Sequence, residues 1–252
     1  MITRRILQIE YDGTAYAGYQ LQPDHPSIQG EIEKALFKLY KEAIRVHASG
    51  RTDAGVHAIY QIIHFISPRE LKNLNLKAAL NTLLPKDIRV IRTAKGNEDF
   101  HARFSARERQ YRYVISTQNT ALDRDRVWQI YQYLDYNSMK KSADIFIGEH
   151  NFTSFCSTQA EVDHKRCIIY KSYWEKEGNH LIYYIHGNRF LHSMVRSLVG
   201  SMVEVGKGKI SVDDLLKMLK SEDRSSGAVT APPQGLTLMH VKYKEKINWE
   251  GN

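Results

Sequence analysis

The chain has 252 residues, 42% of them hydrophobic and 25% charged, which is typical of a globular protein with one large domain or two of ordinary size. Its net charge of +8, from 36 Lys and Arg against 28 Asp and Glu, fits a nucleic-acid partner and a merely basic protein equally well. No apolar run is long enough to span a membrane and only two cysteines, Cys156 and Cys167, are present, so the sequence excludes a disulfide framework and predicts a cytoplasmic protein with no membrane segment.

The first half of the chain predicts six elements in the order β-α-β-β-α-β. Apolar residues alternate in the strands and recur about every three to four residues in the helices. From the N-terminus, the predicted elements are a strand over Leu7–Tyr11, a helix over Ile28–Leu39 with Ser27 as its N-cap, strands over Ile44–Ala48 and Ile59–Phe65, a helix over Pro68–Leu83 and a strand that begins at Ile88.

A polar run, Ala48–Ala58, separates the two middle strands and contains Arg51, Asp53 and two glycines. Glycines let the backbone approach a ligand closely, and an arginine two residues from an aspartate can hold a phosphate or orient the carboxylate. A single carboxylate on such a loop is a candidate nucleophile or base. The alternative is that Asp53 only closes the turn by bonding to its own backbone, which is the commoner use of an isolated aspartate.

The second half repeats the same order more loosely and adds one helix. Two ferredoxin-like halves in an α+β fold are the simplest architecture, with their sheets joined around a central basic cleft. The predicted division is into residues 1–105 and 106–252. The predicted elements are a strand over Tyr111–Ile115, a helix over Asn137–Ile147, a hairpin of Cys167–Glu175 and Leu181–His186, helices over Phe190–Val203 and Val212–Leu219, and a strand over Leu236–Tyr243.

Two residue groups of the second half are further candidates. Arg189, His192 and Arg196 fall on one face of a predicted helix, as either a solvated face or a site where an arginine meets a phosphate or the Asp53 carboxylate. Tyr111 lies on a predicted strand and is either a core residue or a ring that stacks against a base. The sequence contains no Gly-rich nucleotide-binding motif, and its histidines are too scattered to predict a metal site.

The run Ser49–Ala58 resembles the active-site signature of the tRNA pseudouridine synthase A family. Other segments resemble the family in the same order, so the resemblance covers nearly the whole chain. The family usually has Trp where this chain has Tyr19. The other matching segments are Tyr11–Thr14, Gly18–Gln20, Ser27–Gln29, Phe100–Ala106, Tyr111–Tyr113, Phe152–Phe155, Phe190–Arg196 and Ala231–Leu236.

This resemblance implies the pseudouridine synthase fold and an isomerase that converts uridine to pseudouridine at nucleotides 38, 39 and 40 of the tRNA anticodon stem-loop. It also implies a homodimer that needs no metal and no organic cofactor. The family's essential aspartate falls on Asp53, its active-site tyrosine on Tyr111, and the arginine partner of the aspartate on Arg196. Arg51 matches the motif arginine, which we expect to help hold the extruded nucleotide.

Two other function classes compete with this isomerase. A non-catalytic RNA-binding protein on the same scaffold explains the charge and the 15 tyrosines but leaves the polar loop without a purpose. A glycoside hydrolase usually needs two placed carboxylates, and Asp53 has no acidic neighbour nearer in sequence than Glu42. Pseudouridine formation needs only one carboxylate, acting at either C1′ or C2′ of the ribose, and the sequence leaves both routes open.

Overall fold

A computed structural model describes residues 3–71, 74–157, 164–226 and 228–251. The chain divides into two compact units, one formed by the residues up to Arg107 together with those from Leu238 onward, and the other by Glu108–Thr237. The predicted α+β class is confirmed. The predicted division assigned all residues after 105 to the C-terminal half, whereas the residues from Leu238 belong to the first unit.

The described residues contain ten strands and five α-helices. The strands are β1 (Thr3–Tyr11), β2 (His47–Ala48), β3 (His57–Ser67), β4 (Ile88–Gly96), β5 (Ala106–Ser116), β6 (Trp128–Gln129), β7 (Gly148–Asn151), β8 (Arg166–Glu177), β9 (His180–Gly187) and β10 (Leu236–Tyr243). The helices are α1 (Ile28–Tyr40), α2 (Leu76–Leu83), α3 (Tyr136–Asp144), α4 (Met194–Gly206) and α5 (Val212–Ser221).

The first unit has the predicted β-α-β-β-α-β order, with its strands arranged β4-β1-β3-β10 and β2 paired to β3. Strand β1 pairs antiparallel with both β3 and β4. Leu7 and Ile9 of β1 are fully buried, and the Tyr40 ring of α1 contacts the Phe65 ring of β3 edge-on at 6.1 Å. Helix α1 therefore covers one face of this sheet. Because β10 lies beside β3, the C-terminal residues pack with the first unit.

Helix α2 is shorter than the sequence predicts. It begins at Leu76, because the Asn75 side chain caps it by accepting a hydrogen bond from the Ala78 amide at 3.0 Å. Residues 68–71, predicted as its first turn, are not helical, and residues 72–73 lie outside the described part of the chain. The strand predicted over 44–48 is likewise reduced to the two residues of β2.

The second unit has the strand order β5-β9-β8-β7, with β6 paired parallel to β5. Strands β8 and β9 form the predicted hairpin, and Gly178 at its tip has a φ of +56°, where glycine avoids strain. The short strands β6 and β7 were not predicted, because they have too few residues to show a period. The largest fully buried side chains of this unit are Tyr113, Tyr183, Phe146, Phe152 and Phe155.

Candidate active site

Arg51 and Asp53 lie on the loop between β2 and β3, and backbone hydrogen bonds fix this loop at both ends. The Ser49 amide donates to the Ile62 carbonyl at 2.8 Å, and the Val56 amide donates to the Asp53 carbonyl at 3.2 Å. Arg51 is exposed and Asp53 is half-buried. The loop therefore holds a guanidinium and a carboxylate two residues apart on a backbone that has little freedom to move.

Thr52 anchors the middle of this loop to the core of the first unit. Its carbonyl accepts from the Tyr19 amide at 3.0 Å, and its hydroxyl lies 2.9 Å from the Tyr11 hydroxyl. Gly18 permits the close approach, since its φ is +99° and a Cβ there would lie 2.8 Å from the Thr52 carbonyl oxygen. Two segments that are distant in sequence from the loop, and that match the family motifs separately, thus contact it directly.

A second anchor joins the loop to the chain after β1. The Gly13 amide donates to Nδ1 of the buried His57 at 3.1 Å, and Oδ1 of Asp12 accepts from the Thr14 amide at 3.0 Å and the Thr14 hydroxyl at 2.6 Å. Asp12 Oδ1 also lies 3.2 Å from His57 Nδ1. One ring nitrogen cannot accept from Gly13 and donate to Asp12 together. The amide direction is fixed by the backbone, so we assign Nδ1 as the acceptor and Nε2 as the protonated nitrogen.

Tyr11 and Tyr19 line the inner side of the loop as a pair of buried rings, with centroids 6.5 Å apart. Burial raises the pKa of Tyr11 to about 12, although hydrogen bonds with Thr52 and Gln61 oppose the shift. Burial also raises the pKa of Tyr19 well above its usual value. Among the described residues, the Tyr19 hydroxyl has no hydrogen-bond partner. Both hydroxyl groups therefore remain protonated at neutral pH. The two rings support the loop by packing beneath it.

Tyr111 lies in β5 of the second unit, opposite Ile185 of β9. Only 8% of Tyr111 is exposed, and its ring meets the Phe190 ring edge-on at a centroid distance of 5.2 Å. An edge-to-face contact fixes the plane of both rings. The predicted strand position of Tyr111 is confirmed, and its ring has a defined orientation within this unit.

Arg196 lies in the first turn of α4, and its guanidinium is oriented by the backbone of a distant segment. Its Nε donates to the Ala231 carbonyl at 2.8 Å, and the Ala231 amide donates back to the Arg196 carbonyl at 3.0 Å. One turn later, a Cβ on Gly200 would lie 2.2 Å from the Val229 carbonyl oxygen, so only glycine fits there. The segment after residue 228 therefore lies directly on α4 and sets the direction of Arg196.

The prediction that Arg189, His192 and Arg196 share one helical face is wrong. Helix α4 begins at Met194, because Ser193 has a φ of +59° and breaks the helical geometry before it. Arg189 and His192 lie in the preceding loop, where the His192 carbonyl accepts from the Ser157 amide at 3.0 Å. Of the three polar residues, only Arg196 is presented by the helix.

Contacts between residues that are distant in sequence support the candidate site residues. In the first unit, Arg51 and Asp53 lie on one loop, and the residues that anchor this loop, Thr52 and His57, were not predicted as site residues. In the second unit, the Tyr113 hydroxyl donates to the Pro232 carbonyl at 2.8 Å. The turn glycines and the short polar segments beside them were the available signal for these supports, but their hydrogen bonds depend on the folded chain.

No group of three or more His, Cys, Asp or Glu within the described ranges is arranged to hold a metal ion. Cys156 and Cys167 are buried free thiols, and burial raises the pKa of Cys167 to about 11. Across the same part of the chain, no helix combines the length and the apolar character that a membrane crossing requires.

Comparisons with known proteins give a consistent result. A family model described as "tRNA pseudouridine synthase" matches residues 8–105 and 143–244. A protein named tRNA pseudouridine synthase A from Oceanobacillus iheyensis is 40% identical over 244 residues, which cover 95% of this chain and 96% of that protein. A protein named tRNA pseudouridine synthase A 1 from Bacillus cereus (strain ZK / E33L) is 43% identical over 239 residues, or 93% of this chain and 96% of that one.

Among solved structures, this chain is similar to a chain of a crystal structure entitled "Crystal Structure of a Cbf5-Nop10-Gar1 Complex". The match covers 92% of this chain and 56% of that chain, with 9% sequence identity and a TM-score of 0.35. A similarity at this level supports no conclusion about function.

Proposed function

The chain belongs to the tRNA pseudouridine synthase family and is an isomerase that converts uridine to pseudouridine in the tRNA anticodon stem-loop, and we propose that Asp53 is the carboxylate that starts this reaction. We further propose nucleotides 38, 39 and 40 as its targets. The observation that carries the role of Asp53 is its place on a loop anchored from two sides, with Arg51 two residues away.

The reaction breaks the C1′–N1 bond of uridine and rejoins the same base through C5. In one route Asp53 adds to C1′ and uracil leaves with the bonding electrons. The base turns, C5 bonds to C1′, and Asp53 is released. In the other route Asp53 removes the C2′ proton as uracil leaves, which gives a glycal, and after C5 bonds to C1′ the protonated Asp53 returns that proton to C2′. In both, the hydrogen on C5 is lost and N1 gains a proton, so atoms and charge balance without an oxidant or a water molecule.

Tyr111 is proposed to stack on the extruded base and to assist the loss of the C5 proton. Support comes from its ring, which Phe190 holds edge-on and which β5 keeps at a fixed position in the second unit. A flipped base needs such a surface because it loses its stacking partners in the RNA. A ring already held in place binds it with a smaller loss of conformational entropy.

Arg196 is proposed as the partner of the Asp53 carboxylate, and Arg51 as a contact to the RNA backbone. An arginine beside a carboxylate balances its charge in a partly dry site. The hydrogen bond from Nε to the Ala231 carbonyl supports this role, since it sets the direction of the guanidinium. Arg51 is exposed on the same loop as Asp53, as a residue that contacts a phosphate must be.

Two further properties complete the proposal. We propose that the protein acts in the cytoplasm as a homodimer. The two buried free thiols support a reducing compartment, and the homodimer rests on the family resemblance. Sedimentation equilibrium of the full chain tests the second point, because a mass of one chain across the working concentration range contradicts it.

The function is tested by incubating the purified protein with unmodified tRNA transcripts and mapping pseudouridine by carbodiimide labelling and primer extension. We expect new stops one nucleotide 3′ of positions 38, 39 and 40 in transcripts that carry uridine there. Transcripts with cytidine at these positions provide the control. Pseudouridine elsewhere in the tRNA contradicts the target assignment.

A further inference from the structure

Phe104 is an aromatic residue with three-quarters of its side chain exposed, in a loop of the first unit between β4 and β5. An exposed phenylalanine costs solubility, since its apolar ring faces water. Its exposure is 75%, compared with 54% for Phe37 on the outer face of α1. The reaction chemistry does not use the Phe104 ring, and packing within the unit covers only about a quarter of the residue, so its position calls for another explanation.

The loop around Phe104 is held rigidly. The His101 amide donates to the Ser105 hydroxyl at 3.0 Å, and the Ser105 amide donates to the His101 carbonyl at 2.9 Å. Nδ1 of His101 accepts from the amides of Arg103 and Phe104 at 3.2 and 3.3 Å. The Tyr243 hydroxyl donates to the carbonyl of Ala102, the residue after His101, at 2.8 Å. Hydrogen bonds thus fix the backbone that carries Phe104 before any ligand binds.

Behind Phe104 lies a cluster of three imidazole rings, His47, His64 and His101. The His101 ring lies 4.4 Å from the Phe104 ring centroid, and it meets the His64 ring at 4.7 Å and the His47 ring at 5.4 Å. The His47 and His64 rings stack at 5.1 Å. This histidine cluster supports one side of Phe104 and leaves most of the side chain open to solvent.

The histidine cluster is uncharged at neutral pH at two of its positions, His64 and His101. Burial, followed by the neighbouring imidazoles and Arg4, lowers the pKa of His64 to about 3. Burial and the nearby charges of His47, Arg4 and Arg103 also lower the pKa of His101. Neutral rings behind Phe104 form an aromatic support, and the fixed positive charge comes from the arginines.

The arginines give this surface a positive rim. Arg4 donates to the Phe100 carbonyl at the start of the loop, and the Arg103 guanidinium lies 5.7 Å from the Phe104 ring centroid. A rigid exposed ring with a cationic rim matches a nucleotide, since the ring stacks on the base and the rim attracts the phosphates. The apolar side chain of a protein partner would use the ring without using the charge.

We propose that Phe104 is a stacking platform for an unpaired base of the tRNA substrate. The base must be unpaired, because bases inside an A-form helix have no face exposed, whereas loop bases can be turned out and stacked on aromatic side chains. This inference rests on the proposed function for the identity of the RNA. It adds a contact that holds the anticodon loop by stacking rather than by charge.

The test is the equilibrium affinity of a fluorescent tRNA transcript for the full-length protein and for the variants Phe104→Ala, Phe104→Trp and Phe37→Ala. Loss of one base stack weakens binding by about 5- to 150-fold in Phe104→Ala. Phe104→Trp retains the affinity, since indole also stacks, and Phe37→Ala binds like the unchanged protein. The slope of log Kd against log salt stays the same in Phe104→Ala, because no phosphate contact is removed.

Three results for Phe104→Ala would overturn the platform. These are tRNA binding as tight as that of the unchanged protein, a salt slope that falls as for a lost phosphate contact, and a mass by sedimentation that drops by half while RNA affinity per chain is kept. The last result assigns Phe104 to a contact between copies of the chain. Failure of the unchanged protein to modify tRNA would instead contradict the proposed function itself. Since Phe104 is exposed, its substitution leaves the melting temperature nearly unchanged, which thermal unfolding checks directly.

Discussion

Replacing Gly13 with alanine tests whether the loop that carries Asp53 is held at a fixed distance from the chain after β1. A Cβ on Gly13 would lie 2.1 Å from the Val56 carbonyl oxygen and 2.7 Å from its carbonyl carbon. Such contacts are essentially never shorter than 3.0 Å, so the two backbones must separate by about 0.9 Å. Gly50 offers a matched control at the other end of the loop, because a Cβ there meets no atom within 4 Å.

The expected loss of activity in Gly13→Ala follows from the hydrogen bond between Val56 and Asp53. Its amide donates to the Asp53 carbonyl, so a shift of Val56 displaces the residue that carries the carboxylate. A misplacement of about 1 Å at a reacting group costs about 100-fold in rate. Overpacking of this kind lowers the free energy of unfolding by about 1 to 3 kcal/mol. For Gly50→Ala we expect activity within about twofold of the unchanged protein and a stability gain of up to about 1 kcal/mol.

The assay combines kcat/KM for pseudouridine formation on a tRNA transcript with urea unfolding of each variant. We expect Gly13→Ala to stay folded at the assay temperature and to lose about 100-fold in kcat/KM while Gly50→Ala stays active. Full activity of Gly13→Ala would show that the loop yields without moving the carboxylate. Equal losses in both variants would show that the loop tolerates no substitution, whatever the space around it.

Three further predictions concern Tyr19, Arg196 and His64. Tyr19→Phe removes a buried hydroxyl that lacks a hydrogen-bond partner among the described residues. The free energy of unfolding in urea should therefore rise by about 1 to 3 kcal/mol while activity is kept, and a loss of stability contradicts this prediction. Arg196→Ala should lower kcat/KM more than tRNA affinity, whereas equal losses make it a phosphate contact. The pKa of His64 is about 3 in the folded chain, against an ordinary value of 6.5. The unfolded chain therefore binds the proton first, and the free energy of unfolding falls by up to about 1.4 kcal/mol for each pH unit of acidification between these values. His64→Gln should flatten this dependence of the free energy of unfolding on pH, measured by urea titrations.

The order of elements and the identity of the Asp53 loop could be predicted from sequence, because each depends on neighbours along the chain. Alternation located β1, and the spacing of apolar residues with a Ser27 cap located α1, where the Ser27 hydroxyl does accept from the Gly30 amide. The Arg51 and Asp53 pair was visible as a polar run between two strands.

The elements that were predicted wrongly depend on contacts between distant residues. Helical spacing continued back to Phe190, yet α4 begins after Ser193, whose positive φ no period reveals. The Thr52 hydrogen bond to Tyr11 and the Ala231 carbonyl that orients Arg196 likewise join residues more than thirty positions apart. The sequence indicated which residues carry the chemistry, and the folded chain was needed to show what holds them.

The most direct test of the role of Asp53 is a single-turnover assay of Asp53→Asn on a tRNA transcript, with tRNA affinity measured on the same preparation. Asparagine keeps the shape of the side chain and removes the charge and the nucleophile. We predict that no pseudouridine forms above background while the tRNA is bound as tightly as by the unchanged protein. Pseudouridine formation at the unchanged rate would remove Asp53 from the mechanism and contradict its proposed role.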